Sequence, residues 1–489
     1  MPTTRRHPHL FEINTWPWLA ELSRREGRDL TLATVPDAIW DRLAALGIDL
    51  VYLMGLWQRS AIGRQIARSE PSLFASYDEA LPRWRVRDVV GSAYCITGHN
   101  PDPRLGNWRD VDAIREKLHA RGMRLIADFV PNHTGFDHPW IARYPDRYVQ
   151  GDQQAFRRNP GAYRAIELPG GDVRFLACGR DPFFPPWTDV AQLNYFNRDT
   201  RAGMIAALKR LAAHVDGARC DMAMLVMNDV FARTWPQFAA DPPPAAEFWT
   251  EARAAVPDFV LIAEVYWDLE WRLQQLGFDF TYDKRLYDRL LHAGAAEVAG
   301  HLRADEEFQR RSARFIENHD EPRSAAAFGR RVRAAAVTMS TLPGLRFYHD
   351  GQWEGRRAHL PVQLGDRGDE PVDAHLADFY QHLLAIVNAP VFHDGAWRLC
   401  AIEACDDTSG NLAAWQWTER GDDRIIVVNL GPIPSQGRVR LAMPPDSSET
   451  LCFEDLLENV QYPWPRGHVA SSGLYVRLDP GCVHVFRIR

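Results

Sequence analysis

Residues 124–133 read Arg124-Leu125-Ile126-Ala127-Asp128-Phe129-Val130-Pro131-Asn132-His133, a short apolar run that ends in polar side chains. The run has the length of a buried strand, and the stretch before it, Trp108 to Arg121, carries helical periodicity. Similar strand-like runs recur at Leu10 to Asn14, Leu50 to Met54, Gly217 to Cys220, Val260 to Ala263, Phe278 to Thr281, Ala313 to Ile316 and Leu345 to Tyr348. Together they make eight, and helical stretches at Arg201 to Ala213, Ala245 to Ala255 and Arg323 to Ser340 lie between them. Alternating strands and helices imply βα units around a parallel sheet. Eight units over roughly 390 residues predict a (β/α)8 TIM barrel enlarged by insertions, because the plain fold takes about 250.

Outward from this core the pattern changes twice. Residues 132–198, after the third strand, are rich in Pro, Gly and aromatics with little periodicity, and predict a small inserted domain. Past about residue 392, alternating segments such as Leu412 to Trp417 and Arg424 to Asn429 predict a C-terminal antiparallel β-sandwich. The expected division is therefore a barrel of 1–131 and 199–391, an insert of 132–198 and a sandwich of 392–489.

Composition narrows the function classes. Of 489 residues, 46% are hydrophobic and 25% charged, which is ordinary for a globular chain and excludes disorder as the main state. The longest apolar run, Leu50 to Trp57, falls well short of the roughly 18 residues that suggest a membrane span, so no membrane partner is expected. A net charge of -7 gives no basic field for phosphate backbones; nucleic acid is not expected, and a neutral substrate fits better. Near the N-terminus, Arg5-Arg6 is followed by Phe11-Glu12-Ile13-Asn14 without the apolar segment of an export signal. The 7 cysteines, an odd number scattered without metal-binding spacing, point to free thiols and a cytoplasmic setting.

In such a barrel the chemistry sits at the C-terminal ends of the strands. Asp128, Asn132 and His133 follow the third strand, Arg219 and Asp221 end the fourth, Glu264 the fifth, and His319-Asp320 the seventh. Taken singly, each carboxylate is as readily a surface residue or a helix N-cap. At successive strand ends, Asp221, Glu264 and Asp320 converge on one pocket suited to glycosidic bond cleavage, in which one carboxylate attacks the anomeric carbon and a second protonates the leaving oxygen. Arg219, two residues before Asp221 in an extended segment, shares its side of the strand and holds that carboxylate ionised. Glu264 follows an apolar run, where burial and like charges raise its pKa as a general acid requires. Asp128 is expected to orient a loop, and Asp305-Glu306-Glu307 near Arg310-Arg311 to form a solvated helix face. Among the 17 tryptophans, Trp57, Trp187, Trp267 and Trp353 are the candidates for sugar contacts.

The segments Asp128 to His133, Gly217 to Asp221, Ala263-Glu264-Val265 and Glu317 to Asp320 resemble the four ordered signature regions of the α-amylase family of glycoside hydrolases. Tyr94 to Thr97, Asn100 to Gly106, Gln192 to Asn194 and Leu342 to Gly351 are also similar to family segments, so the likeness covers nearly the whole chain. The resemblance implies Asp221 as nucleophile, Glu264 as general acid/base and Asp320 as transition-state stabiliser. It further implies His133, His319 and Arg219 around the reacting glucose, Tyr94 stacked on its ring, and Arg323 as a contact in members acting on short oligosaccharides. No cofactor is required; calcium is the possible metal, with Asn132 a weak candidate ligand.

Two departures bear on substrate. Met224-Leu225 stand where many starch-degrading members have Lys-His, which implies a less polar leaving-group side unsuited to long starch chains, and Gly98-His99 stand where Asp-Tyr is common. The expected activity is retaining hydrolysis of an α-glucoside or short α-glucan. A transglycosidase with the same triad and an inactive carbohydrate-binding barrel are the alternatives. Oligomeric state is left open.

Overall fold

A computed structural model describes residues 5–238, 242–443 and 448–489. Eight parallel strands close a barrel: β1 (His9–Asn14), β2 (Leu50–Met54), β3 (Arg124–Phe129), β4 (Gly217–Cys220), β5 (Val260–Ala263), β6 (Phe280–Tyr282), β7 (Ser312–Arg314) and β8 (Leu345–His349). Closure is through β1, which pairs with β2 at Leu10↔Leu50 and with β8 at Leu10↔Phe347. Strands buried on both faces need nearly continuous apolar runs, which is why these segments lack alternation and why β2 is buried at every position.

Three expectations shift in detail. β7 stops at Arg314 rather than Ile316, and the chain beyond it is held by side chains instead of ladder bonds: Asn318 Oδ1 accepts from the backbone of Asp320 at 2.9 Å and of Glu321 at 3.0 Å. The helix expected from Arg323 to Ser340 is broken into Ser324–Ala327 and Val332–Thr341, because Gly329 takes φ +52 between them. Residues 132–198, whose sequence shows little periodicity, fold around an antiparallel sheet. Its strands are His133–Gly135, Trp187–Gln192, Val173–Gly179 and Gln150–Gly151, with Tyr163–Glu167 on Val173–Gly179.

A further excursion lies between β2 and β3. Its helices Ala61–Ser69 and Phe74–Ala80 pack a small separate core of Ala67, Tyr77 and Val89 against Leu360 and Leu364 of the segment after β8. Both segments therefore stand over the C-terminal mouth of the barrel.

At the other end of the chain, a six-stranded sheet faces a three-stranded one. Period-2 alternation in the six-stranded sheet serves two cores at once. Leu412, Ala414, Ile425 and Val427 point between the two sheets, while Ala413, Trp415, Trp417, Ile426 and Val428 join the barrel's own core. Trp417 Nε1 donates to the Thr341 carbonyl at 2.6 Å and Trp415 Nε1 to Thr341 Oγ1 at 3.2 Å, fastening the sheet to the helix Val332–Thr341. Among the described residues, no helix is long and apolar enough to cross a membrane.

Candidate active site

The ends of β4 and β5 are tied together across two further hydrogen bonds. The Glu264 N–H donates to the Cys220 carbonyl at 3.1 Å, and the Ala223 N–H donates to the Glu264 carbonyl at 3.0 Å. Asp221 and Glu264 are thereby side by side. Between them Met222 adopts φ +42, a left-handed backbone that a non-glycine residue holds only when its surroundings enforce it. That turn aims the Met222 N–H at Glu264 Oε2, 2.6 Å away.

One guanidinium gathers the three carboxylates. Arg219 Nη1 donates to Asp221 Oδ1 at 2.8 Å, while Nη2 lies 3.0 Å from Glu264 Oε2 and 3.6 Å from Asp320 Oδ2. The Nη2 contacts are ionic rather than hydrogen-bonded, since their angles leave that nitrogen without a hydrogen-bond partner. Tyr266 OH donates to Glu264 Oε1 at 2.9 Å. Asp320 is the open member of the set, with 41% of its side chain exposed, whereas Asp221 and Glu264 keep 7% and 5%.

The electrostatics divide the three. Burial raises the Asp221 carboxyl to about 6 against the pull of Arg219, with the neighbouring carboxylates Asp320 and Asp128 adding to the rise. Burial likewise lifts Glu264 to about 7; Arg219 opposes the rise, and Asp221 and Asp320 reinforce it. Burial also works to raise Asp320, but the His319 imidazolium, 2.9 Å from Oδ2, overcomes it and holds that carboxyl far below the usual range. Glu264 is thus the group that keeps a proton near neutrality, and Asp320 the one that does not.

These carboxylates open into a cavity of about 570 Å³ walled by Tyr94, His133, Trp187, Met222 and Tyr266. That volume lies within the range of small-molecule sites, about 300 to 1,000 Å³. The far wall comes from the excursion after β2, through Ile66, Glu70 and Leu73, and from Gln363 after β8. Of the expected contact residues, Tyr94 and His133 face this space. Burial holds His133 down at about 4, so it meets a ligand as a neutral ring. Arg219 and His319 stand behind the wall: the His319 ring is fully buried and bonded to the Tyr94 hydroxyl at 2.6 Å.

Arg323 differs from expectation. Its Nη1 is taken up by Glu317 Oε1 at 2.6 Å, His349 Nδ1 at 2.8 Å and the Asp350 carbonyl at 2.8 Å, away from the cavity. A buried Glu317 demands a cation, and Arg323 meets that demand instead of a substrate's. Met224 and Leu225 also depart from their expected role. Both are buried at 0% and 2% in the turn Ala223–Val226, so the apolar side of the cavity is made by Met222, Pro186 and Trp187. Of the candidate tryptophans, only Trp187 lines it. Trp57 donates to the Asp128 carbonyl at 2.7 Å, Trp353 packs on Phe11, and Trp267 lies beside Phe183 outside. Asp128 takes the Tyr52 hydroxyl and the Gly55 N–H, fixing the loop after β2.

Asn132 was the weak candidate for a calcium ligand. Its Oδ1 accepts from Gln192 Nε2 at 2.9 Å, and its Nδ2 faces Gln192 Oε1 at 3.3 Å. Two amides satisfying one another, with no carboxylate between them, do not fit an ion that takes six to eight oxygen ligands. Among the described residues no group of three or more His, Cys, Asp or Glu side chains forms a metal site.

The residues that sequence reasoning passed over are Tyr266, Met222, Glu12 and the Ile66–Leu73 wall. Tyr266 was within reach, two positions after Glu264. The wall was not, because it comes from an excursion after β2 and not from a strand end.

A family model described as the alpha-amylase catalytic domain matches residues 94–359. The chain is 26% identical over 418 residues to an alpha-amylase of Haloarcula japonica, an overlap of 82% of this chain and 53% of that protein. It thus spans about half the length of that relative. A 4-alpha-glucanotransferase of Thermotoga maritima is 30% identical over 166 residues, 30% of this chain and 35% of the other. Among solved structures, a maltogenic alpha-amylase from Thermotoga neapolitana superposes with a TM-score of 0.68 over 99% of this chain and 98% of its own, at 16% identity.

Proposed function

Because the chain belongs to the α-amylase family, we propose that it is a retaining glycosidase that cleaves an α-glucoside or short α-glucan through a glucosyl-Asp221 intermediate. The observation that carries the proposal is the shared guanidinium: Arg219 touches Asp221 and Glu264 with its two terminal nitrogens, at 2.8 and 3.0 Å, so the carboxylates flank one cavity side by side. Close spacing is what a covalent intermediate needs, whereas an inverting site leaves room for water between its acids.

The steps follow from the contacts. Asp221, its Oδ1 held by Arg219, attacks the anomeric carbon with its other oxygen. The glycosidic bond breaks with its electron pair going to the leaving oxygen, which takes the proton of Glu264. Met222 N–H and Arg219 both face Oε2, so that proton belongs on Oε1, where Tyr266 orients it. Asp320, ionised by its neighbour His319, faces the positive charge that develops on the sugar. In the second half, Glu264 takes a proton from water, the water attacks the anomeric carbon, and Asp221 departs. Proton NMR of the first product formed from an aryl α-glucoside tests the stereochemistry. The α anomer is expected first, and β-glucose appearing first would eliminate the intermediate.

One observation favours transfer to a sugar acceptor as a second outcome of the same chemistry. Phe183 and Phe184 are 65% and 68% exposed, and Phe183 stands edge-on to Trp267 at 4.9 Å, next to the Tyr266 that serves Glu264. Aromatic faces at the leaving-group side can hold a sugar ring long enough to replace water. Phe183→Ala is expected to lower the ratio of transfer to hydrolysis products several-fold with maltose as acceptor, measured by chromatography; an unchanged ratio would remove the rim from this role.

The division into barrel, insert and sandwich at 132–198 and 392–489 belongs to this proposal, as does a cytoplasmic setting, which the seven unpaired cysteines support.

A further inference from the structure

Glu12 lies outside every strand-end segment that carries the chemistry, and it is the only carboxylate on β1. Its side chain is completely buried, in register with Tyr52 of β2 and His349 of β8. Both of its oxygens go to one residue: Oε1 pairs with His319 Nδ1 at 2.5 Å, and Oε2 accepts the His319 backbone N–H at 3.2 Å. On the far side of that ring, Nε2 meets Asp320 Oδ2 at 2.9 Å and the Tyr94 hydroxyl at 2.6 Å. A carboxylate within ion-pair distance of each nitrogen favours a ring that carries a proton on both, with the Tyr94 hydroxyl then accepting at Nε2.

We propose that Glu12 is a positioning residue of the catalytic centre: by gripping His319 at ring and backbone, it presents the Nε2–H to Asp320 and sets the direction of that carboxylate at the cavity. The proposal rests on Asp320 serving the transition state, as above. Burial alone would pull the His319 imidazole down, but Asp320 and Glu12 on either side lift it well above its ordinary value. Its remaining charged and titratable neighbours are few. His349 Nε2 lies 3.9 Å from Glu12, His359 Nε2 is 3.0 Å from the His319 carbonyl, and Arg219 reaches Asp320 at 3.6 Å. Asp128 and Glu12 are acids that feel the His319 charge from the β3 and β1 sides. Without Glu12, the ring keeps one proton, and Asp320 loses the nearer of its two cations and the one that orients it, leaving Arg219 at 3.6 Å.

Glu12→Gln preserves shape and removes the charge. Its kcat on an aryl α-glucoside is expected to fall roughly 10- to 100-fold, the scale at which orienting partners act, with KM changing less. The acid limb of its pH profile should stay in place, because Asp221, raised to about 6 by burial, sets it while Asp320 ionises well below it; the loss should therefore appear in kcat across the whole pH range. Glu12→Asp, which keeps the charge, should recover most of the lost kcat and keep the His319 ring doubly protonated. Nitrogen-15 NMR of histidine-labelled protein near neutral pH gives a readout independent of turnover. A doubly protonated ring, assigned by its absence in His319→Asn, is expected in the wild type and should be neutral in Glu12→Gln. A neutral His319 in the wild type, a ring still doubly protonated in Glu12→Gln, or a ring that turns neutral in Glu12→Asp would each overturn the proposal. If Glu12→Gln does not fold, the wild-type ring state and Glu12→Asp decide alone. Absence of glucoside turnover by the wild type would instead count against the glycosidase function and leave the His319 result standing.

Discussion

Asp221→Asn is expected to reduce kcat on an aryl α-glucoside by about ten-thousand-fold or more, with substrate affinity and melting temperature near those of the wild type. The amide occupies the same space and still accepts from Arg219 Nη1, but it cannot supply the electron pair that makes the glucosyl ester. Arg219 remains compensated by ionised Asp320 at 3.6 Å and by Glu264 at 3.0 Å, which ionises more readily once the like charge of Asp221 is gone, so the fold should tolerate the loss of one charge. The comparison also separates an enzyme from a barrel that only binds carbohydrate. Equal and negligible turnover by wild type and variant, with sugar binding intact, would mean that the carboxylates do not perform this chemistry.

Glu264→Gln has a different signature. A substrate whose leaving group must be protonated should react about 100- to 10,000-fold more slowly, the usual contribution of a general acid. With a dinitrophenyl leaving group, which departs unaided, the first step should survive while the second lacks its base. A covalent hexosyl adduct on Asp221 would then accumulate and be read by peptide mass spectrometry. In the wild type, activity should fall as pH rises through about 7, where Glu264 gives up the proton that burial helps it keep. That limb should vanish in the variant. The two buried acids titrate together, so the observed limbs belong to the pair. An adduct on another residue, or an alkaline limb identical in both proteins, would sink the assignment.

The barrel was legible because its eight strands are short apolar runs with polar residues just beyond them, a pattern that survives without an alignment. Strand ends were less so. Ile316 looks like strand, yet the ladder stops at Arg314, and Asn318 captures the backbone further on. Periodicity also failed to foresee the turn at Gly329, where a single positive φ divides a helix whose apolar pattern runs straight through. At the site, residue type and strand-end position sufficed to bring Asp221, Glu264 and Asp320 to one cavity. They did not suffice for Arg323, since nothing in a linear string shows that Glu317 claims its guanidinium. Met224-Leu225 failed for a related reason: one left-handed residue, Met222, turns the chain so that the pair faces the core. Glu12 stood in plain sight as a lone acid within an apolar strand, but its partner is 307 positions away.

The sheet carrying Trp415 and Trp417 presents side chains to the barrel from one surface and to its companion sheet from the other. Such a tail is no detachable cassette. Cutting the chain before it would strip two indoles from the helix Val332–Thr341 and lay bare the outer hydrocarbon of the barrel there. The barrel of this molecule is therefore poorly suited to life on its own, and domain-shuffling experiments that swap the C-terminal sheets must carry both tryptophans with them.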